Sequence, residues 1–214
     1  MSMDRRKFLA AVMTALAGSA VPVSLAGETN PGQPGKRPNI ILINTDDQPS
    51  WWVGAYGNED IHTPNMDKLA EQGMLFETAV TTPVCSPSRA MLLTGRYNNQ
   101  VGIDDFINKD EAVGLPSGSI TFARVLANAG YSTGIVGKWH LGKEQEYWPT
   151  LRGFTYWAGF TNAHGPKDPP LIVKRGDQRE EMLKEEGFTT NILTDYAINF
   201  IRENSRQPFL LYLA

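Results

Sequence analysis

The chain has 214 residues, enough for one well-buried domain and too few for two ordinary ones. With 41% hydrophobic and 20% charged residues it is neither a disordered nor a fibrous sequence, and a formal charge of −3 gives no basic footprint for nucleic acid. Asp4, Arg5, Arg6 and Lys7 give residues 1–26 a charge of +2, so the remainder carries −5 and an anionic substrate must be held by local groups.

The first segment reads as a targeting signal. Arg5-Arg6-Lys7-Phe8-Leu9 is a charged start with twin arginines, followed by an apolar run, Ala10 to Ala17, and by small residues ending in Ser24-Leu25-Ala26. The run is short and rich in alanine and glycine, so it does not suit a stable membrane span. The pattern resembles the twin-arginine signals with which bacteria export folded proteins, and the expectation is a periplasmic or secreted protein handled by the twin-arginine (Tat) translocon. Residues 27–37 are rich in proline and glycine and read as a linker, and the domain is expected over 38–214. A single cysteine, Cys85, allows no internal disulfide. In an oxidising compartment a lone thiol is a liability unless it is buried or chemically used.

Asn39 to Ile43 holds four consecutive aliphatic residues and predicts a strand buried on both faces. A helix is predicted from Pro64, with Thr63 as N-cap, Met66, Leu69 and Ala70 as the inner face and Gly73 as the stop. Met74 to Val80 is a further strand candidate. Ser88 to Leu93 reads as a short helix closed by Gly95. A helix over about 120–129 presents Phe122, Val125, Leu126 and Ala129 inward, and Tyr131 to Val136 follows as a strand. Residues 144–188 show no clear periodicity. Ile192/Leu193, Tyr196/Ala197 and Phe200/Ile201 recur at helical spacing from Thr190 to Ile201, and Pro208 to Leu213 is a last buried strand. Strands alternating with amphipathic helices predict an α/β fold with a mostly parallel central sheet flanked by helices. Ligands gather beyond the carboxyl ends of such strands. Asp46-Asp47 and Lys138-Trp139-His140 fall there.

Two adjacent carboxylates at a strand end repel each other unless a cation lies between them, and a hard divalent ion with oxygen ligands would serve. One aspartate capping a turn while the other faces water explains the pair equally well. Cys85 precedes Ser86-Pro87-Ser88-Arg89, and Pro87 fits the first turn of a helix. Cys85 would then lie at a helix N-terminus, where open N–H groups favour an anion or thiolate, with Arg89 able to turn back toward it. A buried inert cysteine beside a surface arginine remains open. Lys138 and His140, two apart on a strand end, share a face and can act together without having to. His62 marks the start of a helix, and His164 lies in a loop with no assigned role. Trp51 and Trp52, just past the aspartates, line either a substrate mouth or packed rim.

Cys85-Ser86-Pro87-Ser88-Arg89 with Leu93-Thr94-Gly95-Arg96 resembles the C-x-P-S-R and T-G-R signature of type I sulfatases, in the alkaline phosphatase superfamily. Pro38-Asn39-Ile40 through Asp46-Asp47, His62 to Asp67 and Gly137 to Gly142 also resemble that family, closely over 38–142 and loosely over 190–214. The resemblance implies that a formylglycine-generating enzyme converts Cys85 to 3-oxoalanine (formylglycine). The hydrated aldehyde would attack sulfur through one hydroxyl and expel sulfate by collapse of the other. It implies Ca2+ held by Asp46, Asp47 and residue 85. Arg89 would steady the nucleophile, and Lys138 and His140 would contact the sulfate or the leaving oxygen. A sulfated small molecule or glycan is the implied substrate, with phosphonate or phosphodiester hydrolysis as the alternative within the superfamily. Members are normally longer and carry further ligands downstream. The sequence is therefore expected to be the N-terminal part of such a domain, and an inactive truncated fragment is the remaining alternative.

Overall fold

The computed structural model describes residues 37–108, 111–161, 171–176, 181–183 and 187–214. The targeting signal and almost all of the linker lie outside the described residues, as does His164.

The centre of the fold is built by two short strands whose sequences are fit for burial on both sides. Strand β2 (Ser132–Lys138) and strand β6 (Phe209–Leu213) pair in parallel, Ser132 opposite Phe209 and Val136 opposite Leu213. Beyond them lie β1 (Ile40–Ile43) next to β6 and β3 (Tyr156–Phe160) next to β2, both parallel. Strands β4 (Leu171–Arg175) and β5 (Glu181–Leu183) extend the sheet antiparallel, giving the order β1-β6-β2-β3-β4-β5. The mostly parallel sheet agrees with the α/β expectation.

Side chains alternate across this sheet with period two and so feed two cores. One face gathers Ile135, Trp157, Leu210 and Tyr212 with Ala90 and Leu93 of helix α2 (Cys85–Thr94) and Ala123 of helix α4 (Phe122–Asn128). The short helix α3 (Asn98–Val101), absent from the sequence reading, adds Val101 to the same core. The other face places Val136, Tyr156, Ala158, Phe209 and Leu211 against Ala197 and Phe200 of helix α5 (Thr189–Asn204). Phe200 lies where Gly134 leaves room, since a Cβ there would come within 2.7 Å of its ring.

Helix boundaries have local causes. Thr121 caps α4 by accepting a bond from the Arg124 N–H (3.1 Å), and its own hydroxyl donates to the Arg152 carbonyl (2.5 Å). Gly95 ends α2 in the left-handed region (φ 65°), and its N–H returns to the Met91 carbonyl at 2.8 Å. Helix α1 (Pro64–Gln72) begins with Pro at its first position, as expected, but Thr63 makes no side-chain cap bond. The Thr63 hydroxyl instead accepts from the Gly54 N–H (2.8 Å) and donates to Asp67 Oδ1 (2.9 Å). The helix thereby fastens the turn at 54–56 rather than closing on itself.

Three expectations fail on one side of the molecule. Strand β1 forms, but as a sheet edge, with Ile41 50% and Ile43 62% exposed rather than covered on both faces. Helix α1 forms without a buried residue, and Met66 and Leu69 are exposed. Met74 to Val80 is irregular and exposed instead of a strand. An aliphatic pattern records fitness for burial, and burial also needs a neighbour. Among the described residues Leu42 is the β1 side chain that packs against the core, and α1 is fastened to the turn at 54–56 through polar bonds. Residues 144–188, without clear periodicity in the sequence, hold among the described residues two short 3-10 turns (145–147 and 149–152) and three strands, β3 to β5, which are short and separated by polar stretches.

Gly137 shows how tightly the sheet centre is set. It has φ 115°, and a Cβ there would sit 1.9 Å from the Ala214 carbonyl oxygen. Replacing Gly137 by Ala is expected to destabilise the fold by more than about 2 kcal/mol, against about 1 kcal/mol for Gly95→Ala, whose site is open. Urea unfolding of the two variants checks the ranking.

Candidate active site

The carboxyl edge of the parallel strands collects the polar groups. Strand β1 pairs with β6 one residue past its end, through the Asn44 N–H on the Leu213 carbonyl (2.8 Å), and the chain then turns at Asp46-Asp47. Asp47 takes φ 55°, a left-handed conformation that aspartate tolerates better than most residues. Lys138 is the last residue of β2 and reaches past the end of β6. Its ammonium donates to Asp46 Oδ2 at 2.5 Å.

Arg89 closes the cluster from α2. Its side chain is buried, Nη1–H donates to the Lys138 carbonyl at 2.6 Å, and Nη2 lies 3.4 Å from Asp46 Oδ2. The reading has Arg89 turning toward Cys85, whereas its bonds among the described residues run to Lys138 and Asp46. Burial pushes the Asp46 carboxyl up, but the Lys138 hydrogen bond and the Lys138 and Arg89 charges more than offset this. The carboxyl is held below its ordinary value, as a carboxylate.

Cys85 is the first residue of α2, so the helix starts three residues before the expected Ser88 and holds Pro87 in its first turn. The preceding Val84 has no side chain able to cap, so the first-turn N–H groups stay open at the cysteine. The thiol is free and half-buried. Ser88 ties the same turn to the chain before it, donating to the Thr82 carbonyl (2.9 Å) and sharing hydroxyl bonds with Thr81 and Thr82. Cys85, Asp46, Asp47 and Arg89 line a single cleft of about 1060 Å³.

Lys138 and His140 do not line that cleft. Lys138 joins it through Asp46, and His140 is buried beside the cluster. The shared-face argument for this pair does not hold, because Lys138 ends the strand and His140 has φ 54°. Its ring is fixed by contacts the sequence did not signal: Nε2 lies 3.1 Å from the Ile107 carbonyl and Phe106 meets the ring edge-on at 4.5 Å. A carbonyl only accepts, so Nε2 carries the hydrogen and the buried Nδ1, without a partner among the described residues, presents a lone pair. Burial first, then the Lys138 charge, lower the His140 pKa to about 4, so the ring is neutral at pH 7. No pattern in 104–108 announces Phe106 or Ile107, and only the fold brings them to His140.

The donor chemistry suits a hard divalent cation, of which Ca2+ is one. Asp46 and Asp47 are hard oxygen donors on the same cleft as residue 85, and both cations that bond Asp46 do so through Oδ2. Among the described residues no third acid, histidine or cysteine gathers with them. The two carboxylates therefore fit as part of a ligand set and not as the whole of one.

By fold this is an α/β protein with its polar groups at the carboxyl edge of a mostly parallel sheet. It belongs to the sulfatase family, whose model matches residues 38–214. The chain is 35% identical over 222 residues to arylsulfatase G of Canis lupus familiaris, covering 88% of this chain and 41% of that protein. It is 35% identical over 194 residues to the N-acetylglucosamine-6-O-sulfatase of Bacteroides thetaiotaomicron, covering 88% and 32%. The solved structure of Ps i-CgsB in complex with k-i-k-neocarrahexaose superposes with a TM-score of 0.73 at 34% identity, over 84% of this chain and 45% of that one. The chain thus spans less than half the length of these relatives.

Two stability predictions follow from the cluster. Arg89→Ala is expected to cost about 2–4 kcal/mol by removing a buried, doubly bonded guanidinium, whereas exposed Asp47→Ala costs at most about 1 kcal/mol, for alanine in a left-handed backbone. Denaturant midpoints test this. His140 is protonated in the folded chain only below about pH 4, and an unfolded histidine titrates near 6.5. Between these values the unfolded chain binds more protons, so stability falls as pH drops from 6.5 to 4. His140→Asn is expected to flatten that fall by about 1–3 kcal/mol across the window, read from urea midpoints in chelator.

Proposed function

We propose that the protein hydrolyses sulfate esters, with carbohydrate sulfates as the substrate class and residue 85 as the nucleophile position. The observation that supports this best is the placement of Cys85 at the uncapped start of α2, in one cleft with Asp46, Asp47 and Arg89. Open N–H groups there suit an anionic ester, and a half-buried thiol is within reach of a modifying chemistry. The printed identities of the relatives point the same way: one acts on a 6-O-sulfated amino sugar and another was solved with a carrageenan oligosaccharide.

An aldehyde formed from Cys85 would supply a hydrated nucleophile, and Ca2+, for which Asp46 and Asp47 would be part of the ligand set, would supply positive charge for an anionic ester. The rest is work for the chain's own groups. Arg89 fixes the Lys138 carbonyl and the Asp46 carboxylate together, so the metal-facing edge is set before substrate arrives. Lys138 keeps Asp46 ionised. From beside the cleft the buried ammonium adds positive charge, through Asp46, to the side on which a sulfate would be held. His140 is neutral with its Nδ1 lone pair unused, so at pH 7 that atom can accept a hydrogen bond. Residues 1–26 carry the twin-arginine pattern, which supports export of the folded protein to the periplasm or medium.

Intact-mass measurement after expression with a formylglycine-generating enzyme is expected to show the loss that converts a CH2–SH group to CHO, confined to the peptide holding Cys85. Sulfate release from sulfated amino sugars is expected to fall at least about a thousandfold in Cys85→Ala and about a hundredfold in Lys138→Ala. An unmodified thiol in an active protein would remove the aldehyde route. Faster turnover of phosphonate esters than of sulfate esters would transfer the assignment to phosphorus chemistry.

A further inference from the structure

The chain has five tryptophans, and they divide cleanly. Trp139, Trp148 and Trp157 are buried in the core, whereas Trp51 is 67% and Trp52 48% exposed. An exposed indole forgoes about 2–3 kcal/mol of burial, which a lone surface residue can do without functional meaning. Trp51 differs in its location. It lines the same cleft as Asp46, Asp47, Cys85 and Arg89, and its neighbour Trp52 does not.

The Trp51 backbone is held as a fixed mount. Residues 50–52 form a single 3-10 turn, with the Trp52 N–H on the Pro49 carbonyl and the Val53 N–H on the Ser50 carbonyl, both 3.0 Å. The Asn58 side-chain amide donates to the Trp51 carbonyl at 2.5 Å. The turn begins three residues after Asp47, so the indole keeps a set place relative to the carboxylates. Its own N–H has no partner among the described residues and is free to donate to a ligand. Val80, Met91 and Leu92 line the same cleft and supply apolar surface alongside its charged groups.

A flat aromatic face, a free N–H at its rim and anion-holding groups in the same cleft suit a sulfated sugar. A pyranose carries an apolar C–H face with hydroxyls at its edge, and an indole matches both. A cleft of about 1060 Å³ is at the upper end for a drug-sized ligand and has room for more than one ring. We propose that Trp51 is the stacking platform of a carbohydrate subsite, holding one pyranose ring of a sulfated oligosaccharide while the sulfate lies toward residue 85. This deepens the carbohydrate-sulfate reading and rests on it.

The test uses the whole protein as expressed from its gene, in a Cys85→Ala background so that ligand is bound and not consumed. Titration with a sulfated oligosaccharide is expected to shift tryptophan emission to the blue. The shift should persist with Trp52→Phe and vanish with Trp51→Phe. In the active protein, Trp51→Ala is expected to raise KM for the oligosaccharide about tenfold with kcat little changed, while Trp52→Ala leaves both as they were. An emission shift that survives Trp51→Phe, or an unchanged KM in Trp51→Ala, overturns the subsite. Binding that depends on Trp51 without sulfate release by the unmutated protein would support the subsite and refute the hydrolase reading. Sulfate release independent of Trp51 would do the reverse.

Discussion

Asp46 is the single carboxylate that two buried cations share, and the geometry of the site depends on it. An ammonium and a guanidinium taken out of water together would each cost several kcal/mol without an anion beside them. Lys138 brings the end of β2, Arg89 brings α2, and Asp46 brings the chain leaving β1, so one ion cluster joins three elements distant in sequence. This matters most for β1, which among the described residues is hydrogen-bonded on one side only and packs on the core through Leu42 alone. The cluster also orders α2, and with it the residue at position 85 that faces the cleft.

The fold was legible where periodicity and burial coincide. The run Phe209 to Leu213 reads as a buried strand and is one, because α5 packs on one of its faces and the α2 and α4 cluster on the other. The spacing of Ala197 and Phe200 likewise announces the inner face of α5. At β1 and α1 the same kind of pattern says only what the segments could bury. At β3 the difficulty is opposite: Tyr156 to Phe160 is fully buried, but five residues amid turns give no period to count.

For the site, residue types were legible and directions were not. Motif and strand-end position identify Asp46, Asp47, Cys85, Arg89, Lys138 and His140, and the structure brings all but His140 into one bonded or cleft-sharing group. What the sequence could not tell was that Arg89 faces Lys138, or that His140 leaves the strand in a left-handed turn and rests on Phe106 and the Ile107 carbonyl. Those facts depend on which backbone atoms the fold leaves unpaired. Trp51 shows a further limit. Its identity was plain, but only the geometry separates it from Trp52.

The bare edge of β1 has a practical side. It presents Ile41 and Ile43 beside main-chain groups that no described strand pairs, on a segment without proline or charge to discourage a neighbour. Such an edge templates any extended chain that meets it, including a second copy of itself. A lysine placed at Ile41 would be the smallest change that keeps the strand and blunts its edge.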